Sequence, residues 1–273
     1  MFTDVGPYFL YSSFMIYIDD LRRQVEIPNS LQRIISLVPS ITELLFDLGI
    51  GEQLIGRTKY CIHPQDKVKL LPNIGGTKDF DLKKIRALKP DLIFAVKEEN
   101  NKDLVLEIAK EFPLVVYDPT DISSALRMIK EIGDILNTQK TALNIINDIQ
   151  EKIIKLQKTN TIKESACYLI WNRPMMTINQ QTFISEMMNL SGFSNVFALK
   201  NEPYPIIQKE ELREKSPTYI LLSTEPFSFT EKHQLQYQEQ FPNSKVILVD
   251  GEMFSWYGSK MLKAFDYFMS KFN

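Results

Sequence analysis

Arg33-Ile34-Ile35-Ser36-Leu37-Val38-Pro39-Ser40-Ile41-Thr42-Glu43-Leu44-Leu45-Phe46-Asp47-Leu48-Gly49 is an apolar, β-branched run, a polar turn and an amphipathic run closed by glycine. Arg33 to Val38 predicts a strand. Ser40 with Glu43 three residues on forms a capping-box pattern, and Gly49 supplies the stop, so a helix follows at once. The phrase recurs: Ile41-Thr42-Glu43-Leu44-Leu45 followed by Gly49 matches Ile184-Ser185-Glu186-Met187-Met188 followed by Gly192. Downstream, Lys84-Ile85-Arg86-Ala87-Leu88-Lys89-Pro90 leads into the apolar run Leu92 to Val96, and Glu211-Leu212-Arg213-Glu214-Lys215-Ser216-Pro217 leads into Tyr219 to Leu222. Phe112-Pro113 before Val115-Val116-Tyr117-Asp118 pairs in the same way with Phe241-Pro242 before Val246-Ile247-Leu248-Val249-Asp250. Three matches in one order mark two structurally similar lobes.

Each lobe reads as alternating strands and helices. In the first, Asp81 caps a helix through Leu88, Pro90 ends it, Leu92 to Val96 is a strand buried on both faces, and a helix over Asn101 to Glu111 precedes the strand Leu114 to Tyr117. In the second, the strand Ala166 to Trp171 is followed by helices Phe183 to Leu190 and Lys209 to Lys215 and the strand Tyr219 to Ser223. Helix Thr230 to Gln240, strand Lys245 to Val249 and a final helix Gly258 to Phe272 complete it. Short connections between alternating elements predict parallel, helix-flanked sheets.

Between the lobes, Asp121 to Lys158 has no proline and carries Ile122, Ala125, Ile129, Ile132, Ile135, Leu143, Ile146, Ile149, Ile153 and Leu156 at helical spacing. If continuous, it would reach about 55 Å at about 1.5 Å per residue; Gly133 or Asn137-Thr138-Gln139 could break it. The expected fold is therefore α/β: two similar Rossmann-like lobes with mostly parallel sheets, 1–120 and 159–273, joined by a long backbone helix, 121–158. A stiff connector restricts lobe movement to a small rocking.

Composition excludes several function classes. A net charge of −2 with a pI near 5.9 lacks the basic footprint of a nucleic-acid binder. Cys61 and Cys167 have no CxxC spacing, and His63 and His233 are the only histidines, so a bare-metal site is short of ligands and none is assigned. No nucleophile stands beside a base, and Gly49, Gly51 and Gly56 follow a helix, unlike a dinucleotide fingerprint; no enzymatic activity and no intrinsic cofactor are expected. The apolar run Tyr8 to Ile18 has Asp4 but no Lys or Arg before it, and no small-residue cleavage site before Asp19-Asp20-Leu21-Arg22-Arg23. It is too short to span a bilayer as a helix, and Met15 to Ile18 reads as an edge strand.

The repeat, the helical connector and the segments Arg33 to Glu43, Gly75-Gly76, Ala87-Leu88-Lys89-Pro90-Asp91-Leu92-Ile93 and Pro203-Tyr204-Pro205 before Glu210-Glu211-Leu212 together resemble the helical-backbone class of ABC-importer substrate-binding proteins. This class includes cobalamin, ferric-siderophore and haem receptors, and the resemblance covers Asp20 to the end of the chain. It implies a ligand site on loops at the carboxyl ends of strands: Pro39, Ser40, Tyr60 and Lys78 in the first lobe, and Trp171, Arg173, Met176, Glu252, Phe254, Trp256 and Tyr257 in the second. Aromatic and Met side chains with a few charged groups suit a bulky, partly apolar chelate, a cobalt corrinoid or an iron chelate. His63 and His233 are read as loop and surface residues.

The resemblance also implies a monomer outside the bilayer that hands its ligand to an ABC permease, docking through one exposed glutamate per lobe. The matching positions are Lys83 and Glu210, so one of the pair is reversed in sign. That reversal and the absence of an export signal keep a second reading open, a soluble relative that binds or senses a ligand without a permease. The family implies a periplasmic location; the N-terminal run leaves a cytoplasmic one open.

Overall fold

The computed structural model describes residues 13–159 and 163–272. It opens with an antiparallel hairpin of β1 (Phe14–Ile18) and β2 (Gln24–Pro28), so the edge strand expected over Met15 to Ile18 is present; Tyr8 to Ser12 of the same apolar run lie outside the described residues. Val25 and Ile27 alternate inward with Gln24 and Glu26 outward, the signature of a strand covered on one face.

The first parallel sheet follows: β3 (Ile34–Ser36), α1 (Pro39–Asp47), β4 (Leu54–Arg57), α2 (Gln65–Val68), α3 (Leu82–Leu88), β5 (Leu92–Val96), α4 (Lys102–Ile108) and β6 (Leu114–Tyr117). Its strand order is β4-β3-β5-β6, all parallel. β5 is buried at every position, as an apolar strand with helices on both faces should be.

Next come α5 (Ile122–Ile135), α6 (Gln139–Thr159), β7 (Glu164–Leu169), α7 (Phe183–Leu190), β8 (Phe193–Asn195), α8 (Lys209–Lys215), β9 (Tyr219–Ser223), α9 (Glu231–Gln240), β10 (Lys245–Val249), α10 (Glu252–Ser255) and α11 (Lys260–Phe272). The second sheet runs β8-β7-β9-β10, again all parallel, so in chain order it repeats the first strand for strand.

The sequence matches fall on equivalent joints. Gly49 after α1 and Gly192 after α7 adopt φ of 84° and 93°, the left-handed stop that glycine accepts without penalty. Lys89 after α3 and Ser216 after α8 take φ of 47° and 41°, each one residue before the proline that precludes further helix.

The chain divides into two compact units, one comprising residues up to Thr42 with Ile50–Asp118, the other Glu43–Gly49 with Pro119 onward. The connector is not one helix. It breaks after α5, where Asn137 takes φ 56°, Thr138 N–H donates to Gly133 C=O at 2.8 Å and Asn137 N–H to Asp134 C=O at 3.4 Å. That pair of bonds is the Schellman stop. α5 then packs on α6 so closely that a Cβ on Gly133 would meet Ala142 Cβ at 2.5 Å.

The start of α1 also differs from expectation. Its first intrahelical bond runs from Thr42 N–H to Val38 C=O at 3.0 Å, which makes Val38 the cap and puts Pro39 at the first helical position, where a missing N–H costs nothing. Ser40 is therefore inside the helix rather than capping it. Asp81 and Asn101 do cap: each accepts two backbone N–H groups of the helix it precedes.

Candidate functional site

In an open α/β sheet a ligand binds beyond the carboxyl ends of the strands, where the strand order reverses. That point lies between β3 and β5 in the first unit and between β7 and β9 in the second.

In the first unit, Asn100 holds this point together. It is buried, accepts from Val96 N–H at 2.8 Å, and donates to Leu37 C=O at 3.1 Å and Thr77 C=O at 3.0 Å, joining the loops after β3 and β5 to the turn before Phe80. Gly75 makes that turn possible: at φ 110° a Cβ would strike the Asp79 carbonyl at 2.7 Å. Lys78 is exposed and donates to Glu98 C=O at 2.5 Å. Desolvation, with Asp118 adding to it, pushes the Glu98 carboxyl above the usual range. Tyr60 is 51% exposed, with Lys59 Nζ 5.1 Å from its ring centroid. Tyr60 and Lys78 present side chains to solvent, but Pro39 and Ser40 do not. Both are buried, because α1 starts at Pro39 and its first turn sits beneath the strand ends. Ser40 Oγ has no hydrogen-bond partner among the described residues.

In the second unit, β7 stops at Leu169 and the chain turns through Trp171 to Met176, closed by Ile170 N–H to Met176 C=O at 3.0 Å and Met176 N–H to Trp171 C=O at 3.1 Å. Trp171 is 39% exposed, donates from Nε1 to Arg173 C=O at 3.1 Å, and stands edge-on to Phe227 with centroids 5.6 Å apart. Arg173 is exposed and Met176 half-buried. Beside this turn lies a groove of about 260 Å³, with Asn172, Arg173, Met175, Ile207, Lys209 and Tyr237 among its walls. Tyr237 donates to Asn172 Oδ1 at 3.0 Å, and burial pushes its phenol up to about 12.

After β10, the residues 252–257 support more than they present. Phe254 is fully buried against Tyr168, centroids 5.1 Å apart, and Phe268, 4.8 Å. Phe254, expected to face a ligand, is instead turned inward in this structure by the four-residue α10. Tyr257 is likewise buried, edge-on to Phe183. Trp256 is 8% exposed; its Nε1 donates to Glu225 Oε1 at 2.9 Å, and Lys260 Nζ lies 4.7 Å from its ring centroid. Glu252 pairs with Lys260 at 2.9 Å, and Lys260 also meets Glu43 at 3.1 Å. Burial pushes the Glu225 carboxyl up, against the opposing hydrogen bond from Ser255. Gly251 lets β10 approach: a Cβ there would come within 2.4 Å of Glu225 Cγ.

The structure thus sorts the expected residues into presented (Tyr60, Lys78, Trp171, Arg173), partly presented (Met176, Glu252) and buried (Pro39, Ser40, Phe254, Trp256, Tyr257). Sequence reasoning missed the clamp role of Asn100 and the counter-ion role of Lys260, because each depends on partners distant in sequence. Lys83 and Glu210 are both exposed, on α3 and α8, with Glu210 3.6 Å from Arg213. His63 precedes a cis proline, and His233 accepts from Thr230 N–H at 3.1 Å, completing the cap of α9. Among the described residues no helix is long and apolar enough to cross a membrane, and no three His, Cys, Asp or Glu are grouped to hold a metal ion.

Known proteins share this fold. The periplasmic vitamin B12 binding protein of Vibrio cholerae superposes with a TM-score of 0.75 over 88% of this chain and 96% of its own, at 21% identity. The periplasmic haem-binding protein of Roseiflexus sp. RS-1 does so with a TM-score of 0.76 over 88% and 98%, at 19% identity. At these identities the likeness is one of fold. In sequence, a vitamin B12-binding protein of Pectobacterium carotovorum subsp. carotovorum (strain PC1) is 28% identical over 238 residues, 85% of each chain. A family model for periplasmic binding proteins matches residues 34–245, from β3 through the start of β10, and the chain belongs to that family.

Proposed function

We propose that this protein is a substrate-binding protein for a bulky metal chelate, a corrinoid, haem or ferric siderophore, which it delivers to an ABC importer. The observation that carries the reading is the likeness over 85% of the chain to a vitamin B12-binding protein. The strand ends support it. Taken separately, each unit offers one exposed aromatic ring and one exposed cation, Tyr60 and Lys78 in the first and Trp171 and Arg173 in the second, groups that suit a partly apolar chelate. The metal would arrive inside its own chelate, and a permease would receive it at the membrane.

Titrating the protein with cobalamin, cobinamide, haem and ferric siderophores while following tryptophan emission tests this. Saturable quenching by at least one at micromolar concentration is expected, with affinity reduced about tenfold or more in Trp171→Ala. No response to any of them sinks the reading.

Exposed Lys83, at a position where the importer class presents a glutamate, favours a second reading in which the chain binds a chelate without docking. Transport by a reconstituted importer, retained in wild type and lost in Glu210→Lys, would exclude it.

A further inference from the structure

The basic residues of the first unit are concentrated. From Arg57 to Lys89 the chain carries nine Lys or Arg against three Asp, in a protein of net charge −2. The fold brings the α2 loop and the first turn of α3 together beside the end of β4, while Arg86 is paired with Glu107 and Glu111 and Lys89 lies at the other end of α3, beside Arg33. Arg57 Nε donates to Val68 C=O at 2.8 Å, fastening the loop that contains α2 to the end of β4, and Lys84 Nζ reaches Asn73 C=O at 3.2 Å, fastening α3 to the same loop. Two of the three acids are engaged locally: Asp81 accepts the backbone N–H groups that start α3, and Asp79 lies 3.7 Å from Lys59. Lys67, Lys69 and Lys83 are exposed and have no ion-pair partner among the described residues. Leu70, next to Lys69, is 79% exposed, and Ile62 is 46% exposed nearby in the chain.

The type of cation indicates the partner. Seven of the nine are lysines. Protein interfaces enrich Arg and aromatic residues at their centres and deplete Lys, whereas a hydrated, mobile ammonium acts well on a diffuse sheet of negative charge. An apolar tip flanked by lysines fits the boundary between lipid headgroups and acyl chains. We propose that this face of the first unit binds reversibly to the surface of an anionic lipid bilayer, its lysines held by headgroup charge and Leu70 entering the interfacial layer. Such a contact keeps the protein close to the membrane without a membrane-spanning segment, and it does not depend on which ligand the protein carries.

The test is sedimentation of the full chain with vesicles of phosphatidylcholine containing phosphatidylglycerol, and with vesicles of phosphatidylcholine alone. Binding to the first and not the second is expected at low salt, falling steeply once ionic strength passes about 0.15 M. Lys67→Glu with Lys69→Glu should weaken it about tenfold or more. Leu70→Ser should weaken it while leaving the salt dependence in place. Lys140→Glu with Lys158→Glu makes the same charge change on α6, outside this face, and should alter binding less than about twofold. Failure to bind anionic vesicles, equal binding to both kinds, or equal loss from the control pair would overturn the proposal, as would retention by acidic proteins with vesicles left unbound. None of these results bears on chelate binding, so the two readings fail separately.

Discussion

An ammonium group taken out of water is tolerated only when carboxylates meet it, and Lys260, 2% exposed, is met by Glu43 and Glu252 on two sides and by the Trp256 ring on a third. Glu43, 3% exposed, has Lys263 as a second partner at 2.7 Å. Lys260→Met should therefore cost about 3 to 5 kcal/mol in denaturant unfolding, and adding Glu43→Gln should recover part of the loss, since the penalty lies in the carboxylate left behind. If Lys260→Met unfolds like wild type, the ion pair is not the anchor described. Glu225 gives a pH signature. Its folded-state pKa is raised above the ordinary 4.5 by burial, so the native state holds a proton that the unfolded chain releases between those two values. Stability is undiminished below 4.5 and falls as pH rises toward the folded value. Glu225→Gln keeps an acceptor for Trp256 Nε1 and removes the titration. The variant should gain stability relative to wild type as pH rises from 4 to about 7, by thermal unfolding across that range; a constant difference would refute the assignment.

At the scale of elements, two glycines separate packing from backbone conformation. Gly133 faces Ala142 with no room for a methyl group, so Gly133→Ala should destabilise by about 1 to 3 kcal/mol, and Ala142→Gly in the same chain should relieve most of it. Gly49 has open space where a methyl group would sit but a φ of 84°, so Gly49→Ala should cost only the left-handed penalty, about 1 to 2 kcal/mol, with no rescue by any neighbour. Equal rescue in both cases would mean that the distinction is wrong. The repeat is legible in the sequence because its markers are local: Gly49 and Gly192, or the residues before Pro90 and Pro217, are fixed by backbone sterics that nearby sequence alone dictates. β4 and β8 are not legible. They are short, and unlike the equally short β3 and β6 they lack an apolar run: β4 ends in Gly56-Arg57 and β8 in Ser194-Asn195. The start of α1 misleads because Ser40 looks like a cap, while Pro39 fits the first helical turn better. Phe254 is recognisable as important and apolar, but its direction depends on a four-residue helix whose packing against α11 no local pattern reveals.

At the scale of the molecule, two sheets share one strand order, and each carries exposed aromatic and cationic side chains on its loops: Tyr60 after β4 and Lys78 against the loop after β5 in one, Trp171 and Arg173 after β7 in the other. The ligand's chemistry is less legible than the fold, since these loops contribute single side chains rather than a motif, and Pro39, Ser40, Phe254, Trp256 and Tyr257 of the expected contacts are buried. The proposed function requires binding of an intact chelate. Binding to the native state alone raises the unfolding free energy by about 2.7 kcal/mol at a ligand concentration a hundredfold above Kd. The decisive measurement is thermal unfolding with cobalamin, cobinamide, haem and ferric siderophores, and with free cobalt and iron salts alongside. At least one chelate should raise the Tm by several degrees, about 5 °C at that excess, while the free metals do not; no shift with any chelate, or an equal shift with a bare metal ion, would contradict chelate binding.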